Sequence, residues 1–334
     1  MRIVPVIFVG FGNVARALVA LMRDKQTFLA QEYGIEVEVA GVWTLSLGCR
    51  VTKGIGLEEL TPVRMSHAPA VASFPELLQV TGAQVLFEMS SLNPQTGEPA
   101  LSVLRQALLA GAHVVTANKG PVVHGYSELS ALSRRQNREF LFEATCLAGA
   151  PFFSLFRETR PGCCLVEFRG IVNVTANLIL REMEQGKTFA EGVERTQDLG
   201  LAETDPSNDV DGWDAAVKIA IVASVLMGQP TTPADVRRRG IRDVTPADLA
   251  AARAAGRRVR LVVRAWQEQG RVLTSVAPEA LELSDPLVAA GADALIGECI
   301  TDTIPPFTVA AAGITPTSTA YDVWADFVHI LHGL

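Results

Sequence analysis

A chain of 334 residues exceeds the ~250–300 that one hydrophobic core normally organises, so two domains are expected. With 49% apolar and 19% charged residues it reads as an ordinary globular protein, and a net charge of −7 speaks against nonspecific nucleic-acid binding and for small-molecule chemistry. Cys49, Cys146, Cys163, Cys164 and Cys299 form no CxxC pair and total an odd number, the pattern of reduced thiols in a cytoplasm rather than of a disulfide framework. His329 and His332 have no Cys or acid cluster beside them and read as surface histidines. The apolar start is too short for a membrane span and carries no signal-peptide cleavage pattern.

Arg2 to Val9 is a β-branched run that ends in Gly10-Phe11-Gly12-Asn13-Val14-Ala15, and a helical pattern follows with Val14, Leu18, Leu21 and Met22 on one face. Strand, glycine turn and helix in that order make a dinucleotide fingerprint, with Ala15 in place of its third glycine. Gly10 allows the tight turn, and Gly12 lets the backbone of Asn13 and Val14 approach a pyrophosphate at the helix N-terminus. A second strand is expected over Ile35 to Val42. No acid follows it before Glu58, whereas Arg50 and Lys53 do, in a loop where they would receive a 2′-phosphate. That tilts the cofactor reading from NAD towards NADP, against the plain alternative of two solvated loop cations.

Strands over Val85–Met89 and His113–Thr116, with an amphipathic helix over Pro99–Ala110 between them, extend the alternation of a doubly wound parallel sheet. Ligands bind beyond the carboxyl ends of such strands, which singles out Ser90, Ser91, Asn118 and Lys119. From Phe140 the pattern loses its regularity. Strands near 164–174, 259–266 and 271–276, with helices near 178–183, 189–199 and 247–255, indicate an α+β domain over 141–307. The tail ends in an apolar helix from Ala320 to Leu331, expected to rejoin the first domain so that 1–140 and 308–334 form one discontinuous nucleotide-binding unit.

The stretch from Gly200 to Lys218, GLAETDPSNDVDGWDAAVK, gathers Glu203, Asp205, Asp209, Asp211 and Asp214 before a single lysine and then a long apolar run. A buried helix is expected there, with Asp209 or Asp211 as its N-cap. On that helix Asp211, Asp214 and Lys218 would share one face. Pairs of this kind are common on solvated helices, but so apolar a flank places this lysine at the rim of a core. The acid-rich loop before it suits a cationic group such as a substrate amine.

On these pieces the chain resembles the homoserine dehydrogenases: GFGNVA at 10–15, HVVTANKGP at 113–121, FEAT…GAP at 142–151, GIVN at 170–173 and the 200–218 stretch. The resemblance covers nearly the whole chain and is to the short form without a regulatory domain. It implies NAD(P)-dependent interconversion of L-aspartate 4-semialdehyde and L-homoserine in the amino-acid biosynthesis that leads to threonine and methionine, by a cytoplasmic homodimer. It places Lys218 and Lys119 at the two active-site lysines, Asp214 at the catalytic acid, and Glu203, Asp209 and Thr175 at the substrate. Gly313 falls at the cofactor. Glu143 with the carbonyls of Cys146, Ala148 and Ala150 falls on a monovalent-cation site. The chain departs from the family pattern at Val174, Leu178, Leu147 and Ala311-Ala312-Gly313. Two other readings therefore stay open: the same chemistry on a different small hydroxy or oxo acid, and an NAD(P)-binding sensor or scaffold without turnover.

Overall fold

The computed structural model describes residues 1–202, 204–291 and 293–333. The chain divides into two units, Met1–Gly149 with Thr315–Leu334, and Ala150–Ile314. These breaks fall somewhat later than 140 and 307, because the segment after Phe140 still pairs and packs within the first unit and Phe307–Ala312 is a strand of the second.

The first unit runs β1 (Arg2–Val9), α1 (Asn13–Asp24), α2 (Gln26–Tyr33), β2 (Ile35–Thr44), β3 (Gly48–Val51), α3 (Pro62–Ser66), β4 (Ala70–Val71), α4 (Phe74–Thr81), β5 (Val85–Glu88), α5 (Ala100–Leu109), β6 (His113–Thr116), α6 (Lys119–Gln136) and β7 (Phe140–Leu141). Its sheet has the order β4-β3-β2-β1-β5-β6-β7. The five strands from β2 to β7 in that order are parallel, which explains the unbroken apolar runs of β1 and β5: both faces of each strand are covered. Pro5 is tolerated in the central strand because β5 begins to pair with β1 only at Val6. The sheet grows outward from β1 in both directions, so its topological switch point lies above the carboxyl ends of β1 and β5.

The second unit carries β8 (Leu165–Ile171), α7 (Val174–Glu184), α8 (Phe189–Asp198), α9 (Ser207–Val210), α10 (Trp213–Leu226), β9 (Arg237–Arg238), α11 (Pro246–Ala254), β10 (Arg257–Glu268), β11 (Arg271–Glu282), α12 (Pro286–Ala289), β12 (Ala294–Thr301) and β13 (Phe307–Ala312). Its mixed sheet has the order β13-β12-β8-β10-β11-β9, and α7, α10 and α11 pack against β10. The long β10–β11 hairpin turns on Gln269 and Gly270, both at positive φ, the two-residue geometry that suits the right-handed twist of its strands. The chain then re-enters the first unit as α13 (Pro316–Leu331), which packs on α1 and buries Val323, Trp324, Phe327 and Ile330 in the core that holds Val4, Val6 and Phe8.

Two expectations need correcting. The buried helix is α10, but neither Asp209 nor Asp211 caps it. Its N-cap is Gly212 at φ 78°, a conformation open to glycine at no steric cost. Asp211 instead ends the short α9 and pairs with Arg242, off the face that Asp214 and Lys218 share. Arg50 lies on β3, paired with β2, and not in a loop.

Candidate active site

In the first unit, the glycine turn after β1 has the required form. Gly10 has φ 85°, and a Cβ on it would come within 2.6 Å of the Met89 carbonyl oxygen, so no other residue fits. Above Gly12, by contrast, a Cβ would meet nothing within 4 Å, and no side chain caps α1. The first turn of α1, with Asn13 and Val14, therefore offers backbone N–H groups to an open space, which fits a pyrophosphate. Gly313 is also at positive φ, 66°, with open space around it, and belongs to the second unit.

The two cations near β2 are engaged locally. Arg50 donates from Nε to the Leu47 carbonyl at 2.9 Å and from Nη1 to the Ala68 carbonyl at 3.2 Å, while Lys53 donates to the Val80 carbonyl at 2.8 Å. At the ends of β5 and β6 a polar cluster forms. Asn118 caps α6 by accepting the Gly120 N–H at 2.9 Å and donates to the Ser91 carbonyl at 3.4 Å. Lys119 is the first residue of α6 and is half-buried. Beneath them Glu88 is fully buried; burial raises its pKa, against hydrogen bonds from Ser90, Thr116 and Asn118 that lower it.

In the second unit the acids after residue 200 meet the start of α7. Lys218 Nζ lies 2.9 Å from Asp214 Oδ2, one turn earlier on α10, and donates to the Val172 carbonyl at 2.5 Å. Both side chains are mostly withdrawn from water, at 13% and 17% exposure, so their attraction is screened less than that of a surface pair. Asn173 joins the two carboxylates: its Nδ2 donates to Asp209 Oδ1 at 2.6 Å and to Asp214 Oδ2 at 3.0 Å. Its Oδ1 accepts the Ala176 N–H and so caps α7, and its carbonyl accepts from the buried Asn177. Thr175 donates to the Leu201 carbonyl at 2.8 Å, clipping the acid-rich loop to α7. Arg238 stacks on Trp213 at 3.7 Å and donates to the Asp211 carbonyl, which steadies the turn into α10.

Asp209, Asp214 and Lys218 are thus brought together, with Thr175 on the same helix end. Glu203 lies outside the described residues. Asn173 and Glu88 carried no role in the sequence reading. An asparagine just before a helix and an acid closing an apolar strand are their only sequence signals.

The family model "Homoserine dehydrogenase, NAD binding domain" matches residues 10–143, and the model "Homoserine dehydrogenase" matches residues 151–328. The chain belongs to the homoserine dehydrogenase family. It is 34% identical to an "NAD(+)-dependent homoserine dehydrogenase" of Pseudomonas canavaninivorans, over 96% of this chain and 94% of that one. It is 31% identical to a homoserine dehydrogenase of Methanocaldococcus jannaschii, over 97% and 98%. The solved structure of a homoserine dehydrogenase from Thiobacillus denitrificans matches it with a TM-score of 0.84 at 25% identity, covering 99% of this chain and 74% of that one. As a homoserine dehydrogenase the protein is an NAD(P)-dependent oxidoreductase with a Rossmann-type unit and a second mixed sheet.

Proposed function

We propose that the protein interconverts L-aspartate 4-semialdehyde and L-homoserine, with the first unit holding NAD(P) and the second carrying the proton-handling pair. The observation that supports this most is the largely buried Asp214–Lys218 pair. The chemistry a nicotinamide supplies when bound is hydride transfer to or from the substrate carbon. Charge then develops on the carbonyl oxygen, and the Lys218 ammonium stabilises it or passes a proton to it, directly or through a water. Asp214, 2.9 Å from its Nζ, keeps Lys218 aimed. Asp209 and Glu203 hold the substrate ammonium, Thr175 ties the Leu201 carbonyl to α7 on the substrate side, and Lys119 answers the substrate carboxylate.

The cofactor preference rests on the end of β2, where no acid stands to bond a ribose 2′-hydroxyl; NADP is therefore accepted beside NAD, with Arg50 and Lys53 on that flank. A monovalent cation at Glu143 and the carbonyls of Cys146, Ala148 and Ala150 finds support in charge: Glu143 is buried, and burial together with the Glu143 charge pushes Asp322 up to about 7. Family membership supports a homodimer, and the five free cysteines support a cytoplasmic location. A different small oxo acid as substrate is favoured by two residues of α7, Val174, half-buried beside Asn173 at its first turn, and the buried Leu178 one turn on.

Lys218→Ala is expected to lower kcat by about 10²–10⁴-fold while NAD(P)H still binds with wild-type affinity. Loss of cofactor binding together with turnover would move Lys218 to the nucleotide and overturn its assignment.

A further inference from the structure

Glu88 closes β5, and its carboxylate is fully buried at the switch point of the sheet. One oxygen accepts the Ser90 N–H at 2.9 Å and the Ser90 hydroxyl; the other accepts the Thr116 hydroxyl at 2.7 Å. Thr116 Oγ1 in turn accepts the Asn118 N–H at 3.0 Å, which leaves its own hydrogen for Glu88. Oε1 already accepts the Ser90 N–H, so it is the oxygen without a proton in either state of Glu88, and the Ser90 hydroxyl gives its hydrogen to it. Ser90 is half-buried, and its backbone N lies 2.7 Å from where a Cβ on Gly10 would stand, so Ser90 stands directly beside the glycine turn.

Such a hydroxyl offers lone pairs and no hydrogen; Asn118 Nδ2 donates to it at 3.5 Å, which leaves one lone pair for a ligand. In a dinucleotide bound across a switch point, one mononucleotide half takes the adenosine side, at β1 and β2, and the other takes the nicotinamide side, at β5 and β6. We propose that Glu88 is a positioning residue for the nicotinamide half of the cofactor site: it turns Ser90 into a fixed acceptor for the nicotinamide carboxamide N–H and ties that acceptor to the loop of Asn118 and Lys119. The proposal rests on the reading of the β5 and β6 ends as cofactor-holding.

The test compares binding of NADH with that of its reduced acetylpyridine analogue, in which a methyl ketone replaces the carboxamide. Binding is followed by fluorescence titration without substrate. Wild-type protein is expected to prefer NADH about ten-fold, since a site built to accept an N–H is left unpaired by the ketone. Ser90→Ala should abolish that preference. Glu88→Ala should abolish it too, by freeing the Ser90 hydroxyl, whereas Glu88→Gln should retain it because the amide oxygen can still accept both Ser90 donors. Ser90→Ala disturbs no buried partner but Glu88 and Asn118, so it remains informative if Glu88→Ala does not fold. Equal binding of the two cofactors to wild-type protein, or an unchanged preference in Ser90→Ala, would overturn the proposal. If Ser90→Ala and Asn118→Ala both leave NADH affinity itself unchanged, the cofactor reading of these strand ends fails with it. Weakened NADH binding with the preference intact would sink the Glu88 proposal alone.

Discussion

Asn173 serves two functions with one side chain, and they can be separated. Its oxygen caps α7, a contribution of ~0.5–2 kcal/mol, while its nitrogen bridges Asp209 and Asp214. Serine can cap a helix but cannot donate to two carboxylates. Asn173→Ser is therefore expected to keep the thermal midpoint close to wild type and to lower kcat roughly ten- to hundred-fold, as a displaced catalytic group does. Equal losses of stability and activity, or no loss of activity, would show the asparagine to be a cap only. The Asp214–Lys218 pair is legible in the sequence because an i, i+4 spacing on a long apolar run has only one meaning in a helix. Asp211 misleads by the same logic: its spacing fits the face, but the helix begins after Gly212, and a positive φ there is invisible to a periodicity argument. Glu88 stays hidden for another reason. Its role lies in bonds to Ser90 and to Thr116, 28 residues away, a pairing that only the parallel β5–β6 ladder creates.

Among the elements, long regular strands and helices are the legible ones. His113–Thr116 is found where its β-branched run predicts it, whereas β4, β7 and β9, at two residues each, carry no periodicity to read. The β3 strand is concealed by its composition, Gly-Cys-Arg-Val, and Arg50 gains its carbonyl partners from the β2–β3 turn at Leu47 and from Ala68 ahead of β4. His113 shows what burial within the sheet does to a titrating group. Burial first, and the Arg138 charge second, lower its pKa to about 4, and its Nδ1 accepts the Glu139 N–H at 3.0 Å. A histidine whose folded pKa lies below its unfolded value of about 6.5 contributes stability above pH 6.5 that is lost as pH falls through about 4. Denaturant titrations at pH 7 and pH 4.5 should therefore differ by on the order of 1–3 kcal/mol from this group. His113→Asn, which keeps an acceptor and cannot charge, should flatten that slope; an unchanged slope would remove His113 as its source.

At the scale of the whole molecule, the order of strands and helices carried the fold class, and the acid-rich stretch carried the family. On the proposed reading the two units divide the chemistry: a glycine turn and strand ends for a dinucleotide in one, and carboxylates around a lysine in the other. No helix among the described residues is long and apolar enough to cross a membrane. What the sequence does not display is the mutual support of the polar residues, because the bonds from Thr116 to Glu88, from Asn118 to Ser91 and from Asn173 to Asp209 and Asp214 join segments far apart in the chain. The substrate is the point on which the account stands. Oxidation of L-homoserine, followed at the nicotinamide absorbance at alkaline pH with NAD and NADP in parallel, tests it most directly. The account predicts sustained turnover with both cofactors, lowered by about 10²–10⁴-fold in Lys218→Ala. Binding of both cofactors without any homoserine oxidation would contradict it and assign the Asp214–Lys218 pair to a different small hydroxy acid.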